Sequence, residues 1–296
     1  MITFRFQGGL GNQMFQYCVY RKLQMQGIEI QADIFYYNNP GVMPFILDKV
    51  FPNIEIKLSK NEKEHDLVVK NVNRRSTYKV IDYFKYMFYL DKQKYIYELT
   101  EGKFNKYALK VKKGYIEGFW QSEKYFSDIA QDIRKQFCFC EIKNQKVKEY
   151  IKLIDNSNSV SVHIRRGDYL LPCNNKMFGN ICTLQYYLNA IKYMQSKVED
   201  IRLVFFSDDI DWVKENIEIL ENTIFIEWDK NERYEDWYDM YLMSKCKHNI
   251  IANSSFSWWG AWLNPNENKI VVAPKKWING KKMPDILLDK WITVKG

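Results

Sequence analysis

The sequence predicts an α/β protein of two domains, each a doubly wound parallel sheet covered by helices. Three observations carry this. From Ser159 onward, short apolar strands alternate with amphipathic helices, the pattern of parallel βαβ units. The chain opens on the same device, a strand running into a glycine-rich turn and then a helix. Its 296 residues suit two domains of ordinary size. The boundary is placed near residue 150, giving an N-terminal domain over 1–150 and a C-terminal domain over 151–296. The C-terminal tail is left free to pack back on the first domain.

Composition narrows the function classes. A hydrophobic fraction of 46% with 27% charged residues is that of a soluble globular chain. The aromatic fraction, 16%, fits a sugar-binding surface and a large core equally, so it decides nothing. A net charge of +8 admits an anionic ligand or membrane surface, but the lysines are spread along the chain. No nucleic-acid-binding module is present, which argues against RNA or DNA as partner. Met1 leads straight into a strand, and no run of about 18 apolar residues occurs. The expectation is a cytoplasmic protein with no membrane span, with a loose association with the inner membrane face left open. The six cysteines lack zinc spacing, Cys138-Phe139-Cys140 included, and read as free thiols; a Cys173–Cys182 bridge is the less favoured alternative.

In chain order, Ile2 to Phe6 reads as the first strand, followed by Gly8-Gly9-Leu10-Gly11-Asn12-Gln13 and a helix marked by Leu10, Met14, Tyr17 and Leu23. The turn starts like a dinucleotide fingerprint, but Met14 stands where its third glycine belongs, and no P-loop lysine follows. Ile28 to Ile34 is a second strand ending in Asp33. Residues 35–113 are irregular, with a helix-like aromatic segment from Tyr83 to Tyr97; their role stays open between an acceptor-side subdomain and packing. Tyr115 to Phe126 is a strand and turn carrying Glu117, Gln121 and Glu123, and a helix runs from about Asp128 to Phe137. Polar residues 143–158 hold a helix and the linker.

The second half is regular. Val160, Val162 and Ile164 alternate with Ser161, His163 and Arg165, a strand that ends in Arg165-Arg166-Gly167-Asp168. An amphipathic helix follows Thr183. Arg202 to Phe206 is a strand ending in Ser207-Asp208-Asp209, and the next helix carries Trp212, Val213, Ile217 and Leu220. Strand Ile224–Glu227 and a helix with Tyr234, Trp237, Tyr238, Tyr241 and Leu242 come next. Strand Asn249–Ala252 opens into Asn253-Ser254-Ser255-Phe256-Ser257, ahead of a helix whose tryptophans read as core. Ile270 to Ala273 is the last strand, stopped by Pro274.

Three strand ends therefore carry polar clusters, and parallel strands bring them to one sheet edge, where ligands of such folds bind. Two arginines suit a diphosphate. Serine hydroxyls and the open N–H groups of a helix start cradle its oxygens. An aspartate can accept from guanine. Each cluster alone has a plainer explanation: a solvated Arg-Arg-Asp turn, an Asp-Asp helix cap or metal pair, a serine N-cap. Together they describe a nucleoside-diphosphate site without a P-loop.

Gly8 to Tyr17, His163 to Tyr169, Phe206 to Asp209 and Asn253 to Trp262, with Gly118 to Phe126, resemble the α-1,2-fucosyltransferases, glycosyltransferase family 11, over residue 1 to about 275. The resemblance implies a GT-B type fold, two Rossmann-like domains facing each other across a cleft. It implies an inverting, metal-independent transfer with no cofactor. The donor is GDP-β-L-fucose and the acceptor the 2-hydroxyl of a terminal β-galactoside. Carried over by motif, Arg165 and Arg166 hold the diphosphate, and His163, Ser207, Asp208 and Asp209 sit toward guanosine. Asn253, Ser254, Ser255 and Phe256 line the diphosphate and fucose. Gly9, Asn12 and Gln13, with Glu117 and Gln121, belong to the cleft and acceptor side. Asp168 is the first candidate for the base; a role bracing the arginines stands beside it, and Glu117, Glu123 and Asp33 also stay open. Animal members of the family carry a membrane anchor, which this sequence lacks, so the resemblance points to a soluble bacterial type. A fucosyltransferase of another linkage and a non-catalytic nucleotide-sugar or glycan-binding protein are the competing readings.

Overall fold

The computed structural model of the chain describes residues 1–62, 65, 95–217, 222–228 and 235–296. They form two compact units, one of residues 1–140 with 284–286, the other of residues 141–283 with 287–296. Each is an α/β layer structure on a wholly parallel sheet, the GT-B type of architecture.

In the first unit, β1 (Ile2–Arg5), β2 (Ile30–Asp33), β3 (Tyr95–Tyr97) and β4 (Gly114–Glu117) lie in the order β2-β1-β4-β3. Helix α1 (Leu10–Met25) is the crossover between β1 and β2, a short α2 (Leu47–Val50) follows, and α3 (Ala130–Gln136) comes after β4. Parallel strands buried on both faces lose the polar–apolar alternation, and β1 and β2 are buried at every position. Phe4, Phe6, Tyr17 and Tyr20 pack edge to face or stacked in the core. The tyrosine hydroxyls are satisfied there by accepting from the backbone N–H groups of Glu55 and Lys57.

The second unit contains α4 (Gln145–Asp155), β5 (Asn158–Ile164), α5 (Pro172–Phe178), α6 (Leu184–Gln195), β6 (Ile201–Ser207) and α7 (Ile210–Asn216). It continues with β7 (Ile224–Phe225), α8 (Trp237–Lys245), β8 (His248–Ile250), α9 (Ser255–Leu263), β9 (Val271–Pro274) and β10 (Ile292–Val294). The strand order is β10-β9-β8-β5-β6-β7. The chain winds outward from β5 in both directions, so β5 is the switch point of the sheet, the place where such folds bind ligands.

Core packing follows the strand period. Val160, Val162 and Ile164 meet Tyr186, Tyr187, Ile191 and Met194 on one face, while Val204 and Phe206 meet Val147, Ile154, Leu242 and Met243 on the other. The polar residues between them are not solvated. Asn249 Nδ2 donates to Ser161 Oγ at 2.7 Å, and Asn264 Nδ2 donates to Asn249 Oδ1 at 2.9 Å, locking β8 to β5 and to the end of α9. Trp258 and Trp259 are fully buried on α9.

Several expected elements differ. Tyr95–Tyr97 is strand, not helix, because its residues pair with β4; the rest of the aromatic segment lies outside the described residues. Val271–Pro274 is not the last strand, since β10 pairs beyond it. Helix α7 stops at Asn216, with Ile217 extended but still buried; Leu220 and Tyr234 lie outside the described residues. Strand β7 covers Ile224–Phe225 alone. Helix α5 was not foreseen: Pro172 starts it, but its short polar run shows no apolar period. The six cysteines are free thiols.

Candidate active site

The carboxyl ends of β8, β5 and β6, adjacent in the sheet, bring Asn253-Ser254, Arg165-Arg166 and Asp208-Asp209 together. Both arginines are held by carboxylates. Arg165 Nε donates to Asp168 Oδ1 at 2.8 Å, and its Nη1 lies 3.3 Å from Asp208 Oδ2. Arg166 Nε donates to Asp209 Oδ2 at 2.8 Å, and its backbone N–H donates to Asp208 Oδ1 at 2.9 Å. The Arg166 guanidinium lies 4.0 Å from the centre of the Trp212 ring. Among the described residues, Arg165 Nη2 and both terminal nitrogens of Arg166 have no protein partner. Two oriented forks with open ends are what a diphosphate requires. Burial works against the Arg165 cation, but the Asp168 hydrogen bond and the Asp208 charge outweigh it and leave its pKa raised.

The remaining predicted residues fall around this pair. His163 is buried just before Arg165; burial, then the Arg165 charge, pushes its pKa down to about 3. Its Nδ1 has no partner among the described residues, and Phe256 packs at 6.0 Å between ring centres. Ser207 Oγ accepts from Asp209 N, and Asp209 Oδ1 from Trp212 N, so this cluster also caps α7. Ser254 caps α9 by accepting from Phe256 N at 3.3 Å, and Ser255 is the first helical residue. Asn253 is structural in its side chain, which donates to the carbonyls of Phe178 and Trp277.

Three residues that sequence reasoning missed complete the site. Tyr169 donates to Asn253 O at 2.9 Å and stacks on Phe178. Phe178 comes from the unforeseen α5. Trp212 was named only as a residue of the helix; its place one turn after the Asp209 cap is the signal that set it beside the arginines. Arg165, Arg166, Tyr169, Phe178, Thr183 and Trp212 line a cavity of about 220 Å³.

In the first unit, Gly8 adopts φ +81, and a Cβ there would sit 2.6 Å from Asn12 Nδ2, so glycine lets Asn12 fold back over the turn. Gly9 is the N-cap residue of α1. Gln121 Nε2 donates to Asn12 Oδ1 at 2.7 Å. Gln13 is fully buried; it donates to the carbonyls of Gly8 and Pro44 and accepts from Ile46 N, so it builds the turn. Glu117 pairs with Arg5 at 3.0 Å and accepts from Tyr95. Asp33 is buried and accepts from His65, Tyr115 and the Phe35 N–H. Glu123 opens a 3-10 turn.

The family model of glycosyl transferase family 11 matches residues 1–295. The chain belongs to glycosyltransferase family 11. It is 33% identical to an α-1,2-colitosyltransferase of Escherichia coli, covering 99% of each chain. It is also 33% identical to the O-antigen biosynthesis glycosyltransferase WbnK of the same organism, covering 97% and 98%. A galactoside α-(1,2)-fucosyltransferase 1 of Saimiri sciureus matches at 25% identity over half of this chain and 42% of its own length. Among solved structures, the fucosyltransferase NodZ from Bradyrhizobium shares the fold with a TM-score of 0.53 and 12% identity, over 94% and 97% of the two chains. The family 11 member described here is thus a glycosyltransferase of the α-1,2-fucosyltransferase-like group. No helix among the described residues is long and apolar enough to cross a membrane.

Proposed function

We propose that the chain moves L-fucose from GDP-β-L-fucose to the 2-hydroxyl of a terminal β-galactoside, with inversion. The observation that carries this is the pair of arginines fixed by carboxylates at the switch point of a parallel sheet, with Arg165 Nη2 and both terminal nitrogens of Arg166 left open among the described residues. The name of the galactoside α-(1,2)-fucosyltransferase relative supports the sugar and the linkage, and that of the α-1,2-colitosyltransferase supports the linkage alone. The second unit takes the donor and the first the acceptor. The acceptor oxygen forms its bond to the fucose anomeric carbon as the bond to the β-phosphate oxygen breaks, GDP leaves with the electron pair, and the hydroxyl proton passes to a base. Arg165 and Arg166 neutralise the charge that grows on the β-phosphate. The open N–H groups at the start of α9, after Ser254, face the same charge. Asn12, Gln121 and Gly9 line the acceptor side.

The decisive experiment is transfer from GDP-fucose to lactose and to other galactosides, with linkage analysis of the product. GDP binding without transfer to any galactoside would leave a nucleotide-sugar-binding protein instead. A colitosyl donor is a second reading, favoured by the relative of that name; competition between the two GDP-sugars separates them.

Two further outcomes test the site. Asp168 is half-exposed and already accepts from Arg165. Asp168→Asn is expected to keep the pH–rate profile of the wild type if it braces the arginine, and to lose the ascending limb if it is the base. A Cβ on Gly167 would lie 2.7 Å from Asp208 Oδ2, so Gly167→Ala must displace that carboxylate from Arg165 and from the Arg166 N–H. GDP affinity by calorimetry is expected to fall about tenfold, the worth of one charge-assisted hydrogen bond. An unchanged dissociation constant would show that Asp208 does not set the arginine loop.

A further inference from the structure

Glu98 lies one residue beyond β3, where its backbone N–H bonds Glu117 O at 2.9 Å. Its carboxylate faces inward. Oε2 accepts from the N–H groups of Phe119 and Trp120 at 2.9 and 3.1 Å, and Oε1 from Gly102 N at 3.3 Å. Trp120 is held at φ 56, a conformation a bulky residue adopts only where its surroundings over-determine it. The turn so fixed runs directly into Gln121, whose amide donates to Asn12 Oδ1 at 2.7 Å. That bond fixes the orientation of the Asn12 amide, whose Nδ2 lies over the Gly8 turn. A single buried carboxylate therefore sets the backbone that sets Gln121, and Gln121 sets Asn12.

We propose that Glu98 is a positioning residue of the acceptor side: it clamps the turn after β4 by its backbone and thereby aims Asn12 at the acceptor. This rests on the reading that Asn12 and Gln121 serve the acceptor. Charge chemistry adds a signature. Burial raises the Glu98 pKa to about 7; the three N–H groups oppose this, and the nearby Glu101 carboxylate adds to it. From β4 it meets the Glu117 main chain, and from the turn, backbone N–H groups. A turn that opens returns Glu98 to water and to its ordinary value of 4.5. By linkage, protonation favours the closed turn, and closure weakens as pH rises from about 4.5 to about 7 and is then constant. The ratio of closed to open turn falls by up to about 300-fold over that range.

The test uses the full chain. Glu98→Ala is expected to lower kcat/KM for the acceptor by about tenfold or more while the GDP dissociation constant stays unchanged. Glu98→Gln is neutral and keeps an acceptor for Phe119 and Trp120, and it is expected to restore acceptor kinetics. Amide hydrogen exchange of Phe119 and Trp120, corrected for intrinsic rates, is expected to show protection that falls between pH 5 and pH 8 in the wild type and stays flat in Glu98→Gln. Wild-type acceptor kinetics in Glu98→Ala, no rescue by Glu98→Gln, or protection indifferent to pH in the wild type would each overturn the proposal. Exchange reads the clamp even if no galactoside accepts fucose, so failure of the functional reading is told apart from failure of this one.

Discussion

Arg166→Ala is expected to cut kcat for fucosyl transfer by about a hundredfold to a thousandfold, and Arg165→Ala by a similar factor. The donor leaves as a diphosphate, so charge grows on the β-phosphate as the anomeric carbon loses its bond. An arginine already aimed by Asp209 on one edge and by Trp212 against its face does not have to reorganise when that charge appears. The same applies to Arg165 between Asp168 and Asp208. Removal of Arg166 leaves Asp209, and removal of Arg165 leaves Asp168 and Asp208, each with one partner fewer, and the water around these partly exposed carboxylates limits the stability cost. The loss therefore belongs to turnover, not to folding. Lysine is the discriminating control. Arg166→Lys keeps the charge but replaces a rigid planar fork by a compact ammonium that cannot reproduce its separately aimed nitrogens, and it is expected to recover only a small part of the rate. The measurements are single-turnover transfer from GDP-fucose and thermal unfolding of each variant. Near-normal turnover in both alanine variants would remove the arginine pair from the mechanism.

The strand-end clusters were legible because parallel pairing converts linear position into spatial position. Once β5, β6 and β8 are adjacent and co-directional, the residues after Ile164, Ser207 and Ile250 must share an edge. What the side chains do there was less legible. Asp208 and Asp209 could be read as a cap, a metal pair or a base-recognition pair. The structure shows Asp209 capping α7 while both carboxylates fix arginines, a use that depends on a loop 43 residues away in sequence. Trp212 and Phe178 were missed for the same reason: each faces the site only through helix geometry that a short segment does not announce. Gln13 shows the converse. Its place beside Asn12 in a glycine turn suggested a donor into the site, yet one helical step turns it into the interior, where three backbone groups use its amide. Strand β10 escaped because three residues at the end of the chain carry no period long enough to read.

His163 sets a second large expectation, on stability as a function of pH. Burial, with the Arg165 charge behind it, places its folded pKa at about 3 against an ordinary 6.5. Below pH 6.5 the unfolded chain binds a proton that the folded chain refuses until about pH 3, so the unfolded state binds more protons throughout that window. Unfolding free energy must then fall as the pH falls, by about 1.4 kcal/mol per pH unit and up to about 5 kcal/mol over the whole window from this one group. His163→Leu removes the titrating group and fills a site whose Nδ1 bonds nothing among the described residues. Denaturant unfolding between pH 4.5 and 7.5 is expected to show a wild-type slope steeper than the variant's by close to one proton. Equal slopes would mean that His163 is solvated or partnered in the folded chain. The sign also bears on chemistry: a histidine held neutral at pH 7 supplies no charge to a diphosphate. Whatever His163 offers the donor is a neutral hydrogen bond, and the electrostatic work at this sheet edge falls to Arg165 and Arg166.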